Sequence, residues 1–195
     1  KTDDKKNDDK KESDSGSTSK PSTPSTNTTL GLPVSHATVT ATAWYYPASF
    51  GGGWHPGIDL ANKTGTKLKS PGKGVVLVRS YDSGGYGNYV VTAHQVGNDT
   101  YTFIYGHMSK QAATGSTISK GQTVGYMGST GNSTGPHVHV EIFKHKNKSL
   151  SKVVSTYKKN YDIYFGLGYN SKGNCAKVCR LQPQVYYGLK YYQTF

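Results

Sequence analysis

The sequence predicts an all-β, antiparallel domain, and three observations carry that expectation. Short runs rich in β-branched and aromatic residues recur through the middle of the chain: "HATVTATAWYY", "GVVLVRSY", "NYVVTAHQ", "TYTFIYGHM", "TVGYMG" and "HVHVEIF". Clusters of Gly, Asn, Asp and Ser such as "DSGGYGN" and "QVGNDT" separate them, and "VGND" between two of the runs is a hairpin signal. The longest apolar runs, "GVVLV" and "YVVTA", have strand length and are far short of a bilayer span.

The flanks of this β-rich middle differ from it. "KTDDKKNDDKKESDSGSTSKPSTPSTNTT" holds almost no apolar side chain, so ordering it would bury too little surface to offset the lost entropy. Residues 1–35 therefore read as a disordered linker and residues 36–148 as the folded domain. The chain opens on Lys1 rather than Met, which reads as a piece of a longer protein. Beyond Lys146 the strand pattern loosens. "SLSKVVSTYKKN" reads as a short helix, and the tyrosine-rich "RLQPQVYYGLKYYQTF" as a tail, so residues 149–195 are expected to form an extension that packs back on the domain. Cys175 and Cys179 in "CAKVC" are the only cysteines, too few for a closed zinc site of their own. A local disulfide and two free thiols both remain open.

Charge is unevenly placed. Residues 1–20 contain six Lys and six acids, so the whole formal excess of +12 falls on the remainder of the chain. There the acids are Asp59, Asp82, Asp99, Glu141 and Asp162 alone. Such a surface suits a polyanionic setting, an anionic membrane or cell-wall polymer, or simply keeps the protein soluble. No zinc finger, RNP motif or basic helix is present, which argues against nucleic acid.

Seven histidines stand out, and their contexts separate them. In "HVHVEIF", Val138, Val140 and Ile142 alternate with His137, His139 and Glu141, so both imidazoles and the carboxylate share one face of a strand. His55 and Asp59 lie four apart in "HPGIDLA", but Pro56 and Gly57 between them exclude a helix. That segment reads as a turn entering a strand. His107 in "YGHMS" falls where the run "TFIY" ends. A hydrolytic zinc site needs three N or O ligands and an open position for water, whose pKa the cation brings near neutrality. His55, Asp59 and one histidine of "HVH" supply that count, leaving His107 and the other histidine for proton transfer. Glu141 can orient His139 through its second nitrogen or pair with a lysine. His94 reads as structural, His36 and His145 as surface residues, Asn88 as a turn residue, and Gly51–Gly53 as an entry loop that either admits an extended peptide closely or simply makes a turn.

"HPGIDLA", "YGNYVVTAH", "YGHMS" and "GSTGNSTGPHVHVEI", in this order, resemble the lysostaphin-type (LytM-like) zinc endopeptidases of bacterial cell walls over roughly residues 38–145. The resemblance implies an antiparallel sheet crossed by a substrate groove, and one Zn2+ per chain held by His55, Asp59 and His139. It implies that His107 and His137 activate water and stabilise the tetrahedral intermediate, and that the substrate is a peptide of peptidoglycan. An exported or wall-associated monomer follows, with anionic wall polymers as further partners and neither nucleic acid nor a membrane span. In the lysostaphin-like branch a Tyr several residues before the first ligand assists the transition state. Ser49 and Phe50 stand there in this chain, so that role is vacant or falls to Tyr45 or Tyr46. A non-catalytic wall-binding or amidase-activating module on the same scaffold is the rival reading, and it would be marked by lost ligands. A polyanion-binding β domain with incidental histidines is a third.

Overall fold

The computed structural model describes residues 30–195. The expected linker falls, over residues 1–29, outside the described residues. Packing begins ahead of residue 36, because Leu30 and Val34 are already buried in the core.

The chain first forms β1 (Thr38–Ala41), β2 (Trp44–Tyr45), β3 (Trp54–His55) and β4 (Ile58–Ala61). Next come β5 (Lys67–Lys69) and the long strands β6 (Gly74–Asp82), β7 (Gly87–Val96) and β8 (Asp99–Met108). Short strands β9 (Lys110–Gln111), β10 (Thr117–Ile118) and β11 (Thr123–Tyr126) lead to β12 (His137–His145). Helix α1 (Leu150–Asn160), the hairpin β13 (Gly173–Asn174) and β14 (Val178–Arg180), and helix α2 (Pro183–Tyr187) complete it. Among the described residues every strand pair is antiparallel, as the sequence predicts. Among the described residues no helix is long and apolar enough to cross a membrane.

Local chemistry accounts for the main boundaries. β7 and β8 are joined through Gly97 and Asn98, with Val96 opposite Asp99, and Gly97 takes the positive φ of +57° that the tight reversal requires. Helix α1 starts where the Ser149 hydroxyl accepts the Lys152 amide, and it ends with Lys158 and Lys159 beside its negative pole.

The main sheet runs β1-β4-β12-β8-β7-β6-β10. β12 lies inside it, with β8 along one edge. Its other edge is shared: β4 pairs with residues 137–140 and β14 with residues 143–145. The C-terminal extension thus does more than pack on the domain, because β14 completes the sheet. Val138, Val140 and Ile142 point into the larger apolar cluster with Ile58, Leu60, Phe103 and Met108. The opposite face carries the histidines. Farther along, that face is covered by Ile163, Tyr164 and Leu167 of the extension, packed on Phe143 and Ile104.

This covering overturns one sequence expectation. His145, read as a surface residue, is buried at 2% exposure with its ring edge-on to Phe165 at 4.4 Å. Periodicity sees one strand at a time and does not register that a distant segment lies over it. His94 is structural, as expected. It is fully buried, donates through Nδ1 to the Lys73 carbonyl at 3.2 Å and accepts the Thr92 hydroxyl at Nε2 at 2.8 Å.

The neutral His94 ring is therefore satisfied, and burial pushes its pKa down to about 4. A depressed histidine contributes stability above its unfolded pKa of about 6.5, and that contribution is lost as pH falls towards the folded value. In urea unfolding at pH 7.5 and 4.5, His94→Gln is expected to be less stable at pH 7.5. Its further loss on acidification should be smaller than that of the parent chain by roughly 2 kcal/mol. An equal loss in both proteins would show that His94 is not held neutral.

Candidate metal centre

Three strands bring the site together. His55 ends β3 and Asp59 lies in β4, linked through Pro56 and Gly57. In the β4–β12 ladder His139 sits directly opposite Asp59, so the two side chains leave the sheet on the same face as near neighbours. Gly57 makes the close approach of this turn possible. A Cβ there would lie 2.3 Å from the Val140 carbonyl oxygen and 3.0 Å from His139 Cε1.

The donor atoms converge. His55 Nε2 is 3.2 Å and His139 Nδ1 2.9 Å from Asp59 Oδ1, and the two nitrogens are 3.0 Å apart. All three residues are buried. The remaining nitrogens explain which atoms face inwards. His55 Nδ1–H donates to the Thr42 carbonyl at 3.1 Å, and His139 Nε2–H donates to Glu141 Oε1 at 3.4 Å. With those protons committed outwards, the lone pairs of His55 Nε2 and His139 Nδ1 point at one place. Bond lengths of ~2.0–2.1 Å to a tetrahedral zinc set its donors about 3.3 Å apart, close to the three separations found here. The residues fit such an ion.

Electrostatics favour a cation at the same place. Burial alone would raise the Asp59 carboxyl, but the facing His139 and His55 rings, which carry protons inwards when no cation lies between them and Asp59, outweigh it and hold that carboxyl far below the usual range. Burial also opposes ionisation of Glu141, whose pKa is nevertheless lowered by His139 and Arg180. Burial lowers His139, yet the carboxylates on its two sides lift it to about 9. The buried Asp59 carboxylate is thus balanced by protons or by a cation held with His55 and His139. Glu141 takes the orienting role allowed by the sequence, and its cationic partner is Arg180, at 2.9 Å from Oε2, rather than a lysine.

The two other histidines stand beside this cluster. His137 Nδ1–H donates to the Gly135 carbonyl at 2.8 Å, and its Nε2 lies 3.7 Å from Asp59 Oδ1. His107 Nδ1–H donates to the Thr130 carbonyl at 2.8 Å, and the two rings are 4.6 Å apart. In each ring Nε2 is left to accept a proton. Burial, then the neighbouring His137 and His139, pushes His107 down to about 4. His107 also holds a left-handed φ of +59°, a conformation unusual for a side chain of this size.

Open space flanks the cluster on both sides. One cavity of about 370 Å³ is lined by Asp82, Tyr86, His107, His139, Tyr164 and Tyr169 among others. The other, of about 450 Å³, is lined by Thr40, Ser49, Phe50, Asp59, Thr134 and His137 among others. Tyr46 and Asn132 border both, so the two cavities adjoin beside the triad. Tyr46 stacks on the His55 ring at 4.1 Å, whereas Tyr45 is 63% exposed and meets Trp54 edge-on.

Not every sequence reading survives. Asn88 is no turn residue: it lies in β7, and its Nδ2 donates to the Met108 carbonyl of β8 at 3.1 Å. Gly51, Gly52 and Gly53 do form a turn, all at positive φ. His36 is exposed, and Cys175 and Cys179 are unbridged. Sequence reasoning missed Tyr164, Tyr169 and Arg180, because the stretch that holds them carries no motif. Tyr86, in the quoted "YGNY" block, was also passed over, and its hydroxyl donates to Glu141.

Residues 53–151 match the profile of peptidase family M23. The peptidoglycan DD-endopeptidase ShyA of Vibrio cholerae is 44% identical over 90 residues, 45% of this chain and 20% of its own. The DD-carboxypeptidase/endopeptidase Mpg of Neisseria meningitidis is 39% identical over 87 residues, 45% of this chain and 19% of its own. Lysostaphin of Staphylococcus simulans is 33% identical over 97 residues, 49% of this chain and 19% of its own. The chain thus spans about a fifth of the length of these relatives.

Gly57→Ala tests the approach of β4 to β12. It should lower the unfolding free energy by about 2 kcal/mol or more, because backbone rather than a movable side chain opposes the new methyl group. Unchanged denaturant midpoints would contradict the packing described.

Proposed function

This chain belongs to peptidase family M23, and on that basis we propose that it is a zinc endopeptidase hydrolysing a peptide bond of bacterial peptidoglycan. The observation that carries the reading is the buried convergence of His55, Asp59 and His139, whose donor atoms all lie within 4.8 Å of one another. Relatives named as a peptidoglycan DD-endopeptidase and a DD-carboxypeptidase/endopeptidase support the substrate class. The intact donor set weighs against a non-catalytic wall-binding or amidase-activating module.

When bound, zinc supplies a Lewis acid that polarises the scissile carbonyl and makes water acidic enough to attack near neutral pH. The chain's own groups do the rest. His137 and His107 present Nε2 to the cleft, where one accepts the proton of the attacking water. The resulting imidazolium is stabilised by its Nδ1–H bond to a backbone carbonyl, and it returns the proton to the leaving amine. The second histidine and the Tyr46 hydroxyl lie beside the carbonyl oxygen as charge develops on it. Of the two tyrosines open from the sequence, Tyr46 suits that task because it borders both cavities. An extended peptide lies along the cleft, past Tyr164 and Tyr169 on one side and Thr40 and Phe50 on the other.

All five residues come from one chain, so a monomer is competent. The substrate places the protein outside the membrane at the wall, where its positive charge meets anionic polymers.

Peptide release from purified peptidoglycan should vanish when zinc is removed by a chelator and return on adding zinc. Activity retained by metal-free protein would sink the proposal. His137→Ala and His107→Ala are each expected to lower kcat by about 10²–10⁴-fold. Metal analysis should still find one zinc per chain in both, whereas Asp59→Ala and His55→Ala should lose it.

A further inference from the structure

The segment that matches the family ends at residue 151, yet the groups orienting both histidine donors are themselves held from beyond it. On the His139 side, Glu141 is fully buried in the junction where β4 gives way to β14 along β12. Its Oε1 accepts from His139 and from the Tyr86 hydroxyl, and its Oε2 accepts from Arg180 Nε at 2.9 Å. Arg180 is in turn fixed. It donates from Nη1 to the Tyr169 and Ser171 carbonyls at 2.8 and 2.5 Å, and from Nη2 to the Gly168 carbonyl at 3.2 Å. Its guanidinium lies over the Phe143 ring at 4.9 Å. Tyr164 adds a bond from its hydroxyl to that of Tyr86 at 3.1 Å.

The His55 side follows the same pattern through a peptide group. The Thr42 carbonyl that accepts His55 Nδ1–H belongs to the same peptide plane as the Ala43 amide. That amide donates to Gln184 Oε1 at 3.2 Å, and Gln184 Nε2 donates to the Ala43 carbonyl. Gln184, in α2, therefore clamps the plane whose other end orients His55.

We infer that Arg180 and Gln184 of the C-terminal extension are positioning residues of the metal centre, each fixing the acceptor that orients one of its two histidine donors. The inference rests on the zinc reading of His55, Asp59 and His139. An orienting acceptor keeps the outward nitrogen protonated and the inward lone pair on target, and its loss typically weakens metal binding 10- to 100-fold. Arg180 adds charge balance. With it gone, the Glu141 carboxylate is buried without its cation and is drawn to His139 as its remaining positive partner. Each contact joins residues far apart in the chain, so neither can form before the extension has docked.

The test uses the full chain and zinc itself as probe, in competition with a chromogenic chelator. Arg180→Met and Gln184→Ala should each raise the zinc dissociation constant about 10- to 100-fold. Both should also alter the visible absorption of the cobalt-substituted protein, which a change in stability alone leaves untouched. Arg180→Met combined with Glu141→Gln should lose no more than the worse single variant, because Arg180 acts through Glu141. Arg180→Met combined with Gln184→Ala should lose the product of the two, because they act on different histidines. Zinc affinity within threefold of the parent, in a variant that keeps native near-ultraviolet circular dichroism, overturns the inference for that residue. If Arg180→Met does not fold, Arg180→Lys, which keeps the charge but loses the Nε–H bond to Glu141, replaces it under the same criterion. A parent chain that fails to bind zinc would instead overturn the metal reading itself.

Discussion

Two imidazole nitrogens and a carboxylate oxygen are held within about 3 Å of one another in a place water scarcely reaches, and the rest of the structure is arranged to keep them there. Left to themselves, the rings would turn and solvate. Each is prevented from turning because its far nitrogen is committed, one to the Thr42 carbonyl and the other to Glu141. A buried carboxylate facing two lone pairs is unfavourable unless a cation or a proton lies between them. Such a constellation persists only when something else in the fold over-determines it.

What over-determines it is the sheet. Antiparallel register puts His139 across from Asp59, and the period of two sets His137 on the same face one step farther along β12. The other face of the same strand supplies Val138, Val140 and Ile142 to the core. A one-residue slip would therefore exchange core for site along the whole strand, and the apolar packing opposes it. His107 and His137 stand beside the cluster rather than in it. Both spend their Nδ1 protons on loop carbonyls, at Thr130 and Gly135, and turn basic nitrogens to the cleft. Loop carbonyls orient these two rings, although both histidines, like the three clustered residues, stand on strands.

Charge is distributed to the same end. Of the five acids in the folded part, Asp59 and Glu141 are at the centre, Asp82 lines the cleft, and Asp99 is paired with Lys144 at 2.8 Å. A domain with a large excess of lysine and arginine thus keeps a locally acidic heart. Arg180, fully buried, balances part of that acidity without competing for the central position, since it binds the Glu141 oxygen turned away from His139. The exposed lysines are left to set the long-range field.

The chain itself announced its main strands, a hairpin, the short helix and the five residues expected at the site, because those features depend on local periodicity and on motifs a few residues long. "HPGIDLA" and "HVHVEIF" each declare their own geometry, and their resemblance to a known family supplied the roles. His145 in the interior, Asn88 as a bridge between strands, and the hold of Arg180 and Gln184 on the two histidines were decided only in three dimensions. Each depends on which distant segment arrives over a given face. That is settled by the summed packing of the whole sheet, which no window of neighbouring residues contains.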